Sequence, residues 1–337
     1  MKPKPSPAQT LSDHFDGRRF FNPGVDVDRS LADLWRWRRS GQRAAWPERV
    51  ESTPAPPPPR QAGPGEVLLT FIGQATVLIQ VEGCNILTDP IFSERASPVP
   101  FAGPLRARPP AIAIEALPRI DVVLLSHNHY DHMDGPTLRR LQGRSAPVIV
   151  TGLGNARVLA RLGVRKTVEL DWWQACTPAE GVDVTFVPAQ HWSSRTPFDR
   201  RRTLWGGHVV EVAGTRVLFA GDTGYGPHFR SIARLLRPDV ALLPIGAYEP
   251  RWFMKAQHMD PSDAVQAHLD LAADLSLGIH WGTFQLTDEG IDAPRDGLAA
   301  ARQAAGLAES AFRVPEPGTT LVWRQRPSTA TLAEEAV

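Results

Sequence analysis

Ser126-His127-Asn128-His129-Tyr130-Asp131-His132 is the stretch that decides how this chain is read. Four side chains able to bind a metal ion fall within six positions, a density that a solvated surface loop does not explain. The preceding Asp121-Val122-Val123-Leu124-Leu125 reads as a buried strand. The ligands therefore sit in the loop at a strand's C-terminal end, where α/β proteins tend to place their sites. Two imidazoles, a carboxylate and a third imidazole on one loop can face two metal ions. That pattern points to metal-assisted hydrolysis.

Working outward, three more candidate ligands stand where apolar strands stop. His191 follows Val184-Thr185-Phe186-Val187-Pro188-Ala189-Gln190, Asp222 follows Val217-Leu218-Phe219-Ala220-Gly221, and His280 follows Leu277-Gly278-Ile279. A natural partition puts His127, His129 and His191 on one metal and Asp131, His132 and His280 on the other, with Asp222 between them. Two ions so placed would share a water and lower its pKa from ~15.7 toward ~7. Asp131 and Asp222 are thus the carboxylates expected to take part in catalysis. His14, His208, His228 and His268 lack this placement and receive no role.

Around these points the chain reads as two strand-rich halves. Val67 to Ile72, Thr76 to Val81 and Asn85 to Thr88 are short strands turned at Gly73 and Gly83, an antiparallel meander. Strands are expected at 121–126, 148–150, 182–188, 208–212, 215–220, 240–244, 276–280 and 319–323. Helices are expected at 136–141, at 155–162 closed by Gly163, and at 261–272 with Asp260 as N-cap. Two sheets with helices outside follow from this order.

Residues 1–60 differ and are read as a basic, Pro-rich arm before one domain over 61–337. The arm holds eleven Lys/Arg against seven Asp/Glu and ends in Thr53-Pro54-Ala55-Pro56-Pro57-Pro58-Pro59-Arg60, expected to be extended polyproline. Leu31, Leu34, Trp35 and Trp37 alternate with Arg36, Arg38 and Arg39, an amphipathic helix that could lie in a lipid interface, pack on the body or bridge two subunits as a homodimer.

Bulk properties exclude other classes. The 337 residues are 42% hydrophobic, enough for a sizeable core. With 37 basic and 36 acidic residues, nothing predicts nucleic-acid binding. Cys84 and Cys176 are the two cysteines, so a reducing, cytoplasmic compartment is expected. No secretory h-region and no run of eighteen apolar residues is present, so any membrane contact is expected to be peripheral, at the inner face.

The ligand segments, in this order, resemble the metallo-β-lactamase superfamily over residues 66 to 325. Asp89, in Leu87-Thr88-Asp89-Pro90, matches an aspartate that orients the metal loop there without binding metal. The resemblance implies a four-layer αββα sandwich. Imidazole at 129, where iron-binding members commonly carry glutamate, implies zinc, two ions per chain, with another divalent metal as the alternative. Asp222 argues against antibiotic hydrolysis, since true β-lactamases lack it.

Longer segments are similar to the N-acylphosphatidylethanolamine-hydrolysing phospholipase D family. They are 88–98, Asp171-Trp172-Trp173, Gly221-Asp222-Thr223-Gly224-Tyr225, Pro244 to Lys255 and His280-Trp281-Gly282-Thr283-Phe284. The likeness implies substrate contacts from Tyr248, Arg251, Trp252, Lys255 and Gln257, with His258 protonating or hydrogen-bonding a leaving oxygen. Trp172, Trp173 and Trp192 either line an acyl groove or fill the core. One departure stands out: Gln74 in Gly73-Gln74-Ala75-Thr76 replaces a histidine usual in the family. The function implied is a dinuclear zinc phosphodiesterase releasing phosphatidic acid and an N-acylethanolamine from phospholipid. The alternatives are hydrolysis of a small soluble ester, lactone or phosphodiester, and a metal-stabilised lipid-binding protein without catalysis.

Overall fold

The computed structural model describes residues 13–41, 43–52 and 55–324. Lys2 and Lys4 of the basic arm, and Thr53 and Pro54 of its proline run, lie outside the described residues. In chain order, helix α1 (Leu31–Ser40) precedes strands β1 (Glu66–Gly73), β2 (Thr76–Val81), β3 (Cys84–Thr88) and β4 (Val122–Leu125). Then come α2 (Gly135–Arg144), β5 (Val148–Gly152), α3 (Ala156–Arg161), β6 (Thr167–Leu170), β7 (Ala175–Ala179) and β8 (Val182–Val187). The second half runs β9 (Gly207–Val212), β10 (Thr215–Phe219), α4 (His228–Leu236), β11 (Val240–Pro244), α5 (Arg251–Met254), α6 (Pro261–Leu271), β12 (Leu275–Ile279), α7 (Ala293–Ala304), β13 (Phe312–Arg313) and β14 (Thr320–Arg324).

Two seven-stranded sheets result, in the orders β14-β1-β2-β3-β4-β5-β6 and β13-β12-β11-β10-β9-β8-β7. Each is mixed in the same way. Antiparallel pairing joins β14 through β3 and β7 through β10, and parallel pairing joins β3 through β6 and β10 through β13. Wholly apolar strands such as Val122–Leu125 and Val240–Leu243 must be covered on both faces. Phe71, Phe186, Phe219 and Trp205 belong to the core that joins the two sheets. Leu138 and Leu141 of α2 and Leu159 of α3 share a second cluster with the first sheet, and α4, α6 and α7 bury Phe229, Val265 and Leu298 against the second. The expected four-layer αββα sandwich is the fold.

Helix ends follow local chemistry. Ser30 caps α1, its hydroxyl accepting from Asp33 N at 3.1 Å while the Asp33 carboxylate accepts from Ser30 N, and Gly41 at φ 65° ends the helix. Asp260 caps α6 with the same reciprocal bond to Asp263, as its position predicts. The arm is not free of the body. Phe20 joins the core, His14 stacks on Trp172 at 3.9 Å, and Asn22 Nδ2 donates to His191 O at 2.8 Å.

One close approach fixes how the sheets meet. Gly221 follows β10 at φ 63°, and a Cβ there would lie 2.6 Å from Ser126 Cβ. The end of β10 is thereby pressed on the loop after β4, from the other sheet.

Candidate metal centre

Every expected ligand lies at one edge of the sandwich, beyond a strand's C-terminal end. Asp89 follows β3, the 127–132 loop follows β4, His191 follows β8, Asp222 follows β10 and His280 follows β12. Two groups of donor atoms form. His127, His129 and His191 make one; Asp131, His132, Asp222 and His280 make the other, the atoms of each lying within 4.8 Å of one another.

Hydrogen bonds behind the site fix which nitrogen of His132, His191 and His127 points inward. His132 Nδ1 lies 2.6 Å from Asp89 Oδ2, leaving Nε2 toward the site. His191 Nδ1 donates to Gln257 O at 3.0 Å, again leaving Nε2 inward. His127 Nδ1 lies 2.9 Å from Ser126 Oγ, whose hydroxyl donates to Asp89. Asp89 also accepts from Ser126 N at 2.8 Å, so one buried carboxylate aligns the loop and two imidazoles.

The inward atoms crowd without satisfying one another. His127 Nε2 and His129 Nδ1 are 2.8 Å apart, and His191 Nε2 is 3.3 Å from His129 Nδ1. Burial, then neighbouring imidazoles, hold His127 and His129 well below the ordinary histidine range, and burial lowers His191 to about 4. These rings are therefore neutral, and their inward lone pairs face each other. Asp222 Oδ2 lies 3.1 Å from His132 Nε2, 3.2 Å from His280 Nε2 and 3.8 Å from His191 Nε2, so it faces both groups. Its Oδ1 is buried without a hydrogen-bond partner, as is His129 Nε2. Burial opposes the ionised form of Asp131 and Asp222, yet His132 and His280 keep both carboxyls well below their usual range. Neutral imidazoles at His127, His129 and His191, beside ionised Asp131 and Asp222 that with Asp89 hold His132 well above the ordinary histidine range against its burial, make a donor set that fits bound cations.

Gln74 takes over part of the missing histidine's place. Its Nε2 donates to Asp131 Oδ2 at 3.0 Å and its backbone O accepts from His280 N at 2.7 Å. It braces two candidate ligands without titrating.

Above the donors lies a cavity of about 480 Å³ with Leu31, Leu34, Trp37, Phe253, Met254 and Leu286 among its walls. Gln257 and His258 line it, as their loop predicts. Burial lowers His258 to about 3, which favours the neutral imidazole near pH 7. The other expected substrate residues do not reach this cavity. Arg251 is spent on Asp260 (3.0 Å), Asp263 (2.5 Å) and His258 O (2.9 Å), bracing the loop. Tyr248 is buried beside it, Lys255 is exposed, and Trp252 lies outside under the Arg36 guanidinium at 4.7 Å. Of the three tryptophans, Trp192 lines the cavity, edge-on to His129 at 4.4 Å. Trp172 packs on His14 with Nε1 donating to Trp205 O, and Trp173 is partly exposed.

Sequence reasoning missed part of the cavity wall. Val27 and Arg29 come from the arm, and Arg200 from an irregular loop. Arg200 stacks on Trp192 at 3.7 Å and pairs with Asp28 at 2.9 Å. The run Arg200-Arg201-Arg202 was the one available signal.

Comparison with known proteins agrees with this geometry. A family profile described as "Beta-lactamase superfamily domain" matches residues 84–281, which hold all seven candidate ligands. The chain is 39% identical over 241 residues to N-acyl-phosphatidylethanolamine-hydrolyzing phospholipase D 1 of Caenorhabditis elegans, covering 68% of each chain. It is 33% identical over 258 residues to the mitochondrial protein of the same name from Saccharomyces cerevisiae, covering 74% of this chain and 55% of that one. The structure of Igni18, described as a metallo hydrolase from Ignicoccus hospitalis, superposes with TM-score 0.60 at 24% identity, covering 77% of this chain and all of that one. The chain thus belongs to the metallo-β-lactamase superfamily and is a metal-dependent hydrolase.

Proposed function

We propose that this protein is a dinuclear zinc phosphodiesterase that cleaves an N-acylphosphatidylethanolamine-type phospholipid into phosphatidic acid and an N-acylethanolamine. The observation that carries the reading is the floor of seven donor side chains beneath an apolar-walled cavity. Relatives of that name at 39% and 33% identity support it. His127, His129 and His191 would hold one ion and Asp131, His132 and His280 the other, with Asp222 facing both. Bound there, the ions would stabilise charge on the phosphoryl oxygens and make water a nucleophile near neutral pH.

The chain's own groups set up the rest. Asp89 fixes His132 with its Nε2 inward, and Ser126 does the same for His127. Gln74 Nε2 holds Asp131 in place through Oδ2. His258, neutral and with its Nδ1 unpartnered, is positioned to hydrogen-bond an oxygen of a bound ligand. Trp192 Nε1 donates to Gln257 Oε1 at 2.6 Å, which fixes the ring in the cavity wall.

Energetics favour an amphiphile taken from a membrane. At ~0.8 kcal/mol per CH₂, drawing a sixteen-carbon chain into water costs on the order of 12 kcal/mol. An apolar wall beside the donors offsets that cost. No described helix is long and apolar enough to cross a membrane. In this reading the protein meets its substrate at a membrane surface as a peripheral enzyme.

Product identification on N-acylphosphatidylethanolamine in mixed micelles tests this directly, with metal content measured on the same sample. Asp222→Asn is expected to lower turnover by roughly 10²–10³-fold. Turnover of soluble bis(4-nitrophenyl) phosphate with none of the phospholipid would overturn the substrate assignment. Full activity of Asp222→Asn would overturn the site.

A further inference from the structure

Helix α1 buries none of its residues, although Leu31, Leu34, Trp35 and Trp37 make it rich in large apolar side chains. Leu34 and Trp37 wall the cavity over the candidate centre. Polar contacts pin the helix there: Trp37 Nε1 donates to Asp288 Oδ2 at 2.7 Å, and Arg29 Nε to Phe253 O at 2.9 Å. Leu31, at the cavity's edge, is 86% exposed, and Trp35 is 59% exposed. Trp252, beneath Arg36, is exposed as well. So is Phe198, between Pro197 of an adjoining cleft and Arg200 of the cavity. Large apolar groups gathered at the rim of an apolar cavity mark a contact surface.

Charge narrows the partner. Residues 29–40 hold Arg29, Arg36, Arg38 and Arg39 against Asp33 alone. None of these four arginines forms an ion pair with a carboxylate among the described residues. A second copy docked face to face would set arginine against arginine. An anionic lipid surface answers both features, taking the rings and Leu31 at its acyl boundary and the guanidiniums among its phosphates.

We propose that the outer face of α1, with Trp252, Phe198 and Arg200 beside it, rests on an anionic phospholipid bilayer, so that the cavity opens onto lipid. This deepens the phospholipid reading above and rests on it. A chain leaving the bilayer would then pass along Leu31, Leu34 and Trp37 without crossing water.

Co-sedimentation with vesicles of phosphatidylcholine, with and without phosphatidylglycerol, tests the surface on the full chain. The parent is expected to bind the phosphatidylglycerol vesicles, and at least tenfold less as salt rises from about 0.1 to about 1 M. Leu31→Glu/Trp35→Glu is expected to lose at least tenfold in partitioning with an unchanged melting temperature, since neither side chain is buried. Leu235→Glu, at a leucine on α4 that is 57% exposed, is expected to bind like the parent. The proposal is overturned by a parent that ignores these vesicles, by binding indifferent to salt, or by a Leu31/Trp35 variant that binds as well as the parent or the Leu235 variant. It is equally overturned if size exclusion finds a dimer that this variant splits. Turnover of soluble bis(4-nitrophenyl) phosphate, measured in parallel, reports the hydrolase reading independently of vesicles.

Discussion

Asp89 gathers Ser126 N, Ser126 Oγ and His132 Nδ1 on one buried carboxylate. Asp89→Ala leaves His132 free to rotate and unhooks the 126–132 loop. Metal affinity should fall about 10–100-fold, read by competition with a chromophoric chelator. His208 tests a different property. It lies between Phe186 and Phe219, and burial pushes it to about 3, below its unfolded value of about 6.5. Below about pH 6.5 the unfolded chain gains a proton that the folded chain refuses. Stability is therefore full above that pH and is lost as pH falls toward 3. His208→Leu should show a smaller drop in unfolding free energy between pH 7 and pH 5, by about 1–2 kcal/mol, in paired urea titrations. At this scale the sequence was informative where chemistry and position coincide. A histidine or aspartate at the end of an apolar strand has one direction to point. Tyr248, Arg251, Trp252 and Lys255 followed a strand too, but the turn into α5 aims them elsewhere, and spacing cannot reveal a turn's direction.

Elements with dense apolar runs were legible, because burial on both faces leaves a continuous signature. β7 was not. It is an edge strand, Ala175–Ala179, half-exposed, with Pro178 where its register shifts. α7 was hidden by Gly297, a poor helix residue. The structure gives that glycine a reason: a Cβ there would sit 3.0 Å from Pro261 Cγ of α6. A similar constraint at Gly221 yields a test. Gly221→Ala adds a Cβ against Ser126 at a positive φ, and is expected to lower stability by about 1–3 kcal/mol in denaturant unfolding. Bound metal should fall with it, since Asp222 and the loop after β4 are displaced together.

For the whole molecule, the donor set comes from both sheets. Asp89 and the 127–132 loop belong to the first, and His191, Asp222 and His280 to the second. Cations bound there would bind the folded chain and not the unfolded one. At a thousandfold excess over Kd this is worth about 4 kcal/mol per site. Chelation followed by dialysis should therefore lower the calorimetric melting temperature by several degrees, restored on adding zinc. Two sheets with helices outside were visible in the order of strands, and the four-layer sandwich followed from the family resemblance, but the arm's share in the cavity was not legible. Its contacts are single side chains such as Asn22, Arg29 and Trp37 reaching distant residues, with no period to detect.

Because Asn22 clasps both the backbone N–H and C=O of His191, that candidate ligand is seated by a residue made well over a hundred positions before it. A ribosome that has made β1 through β6 has already made Asn22 but not yet His191, Asp222 or His280. The nascent protein must thus carry half a centre, its histidines open to stray ions, until the last parallel strands emerge.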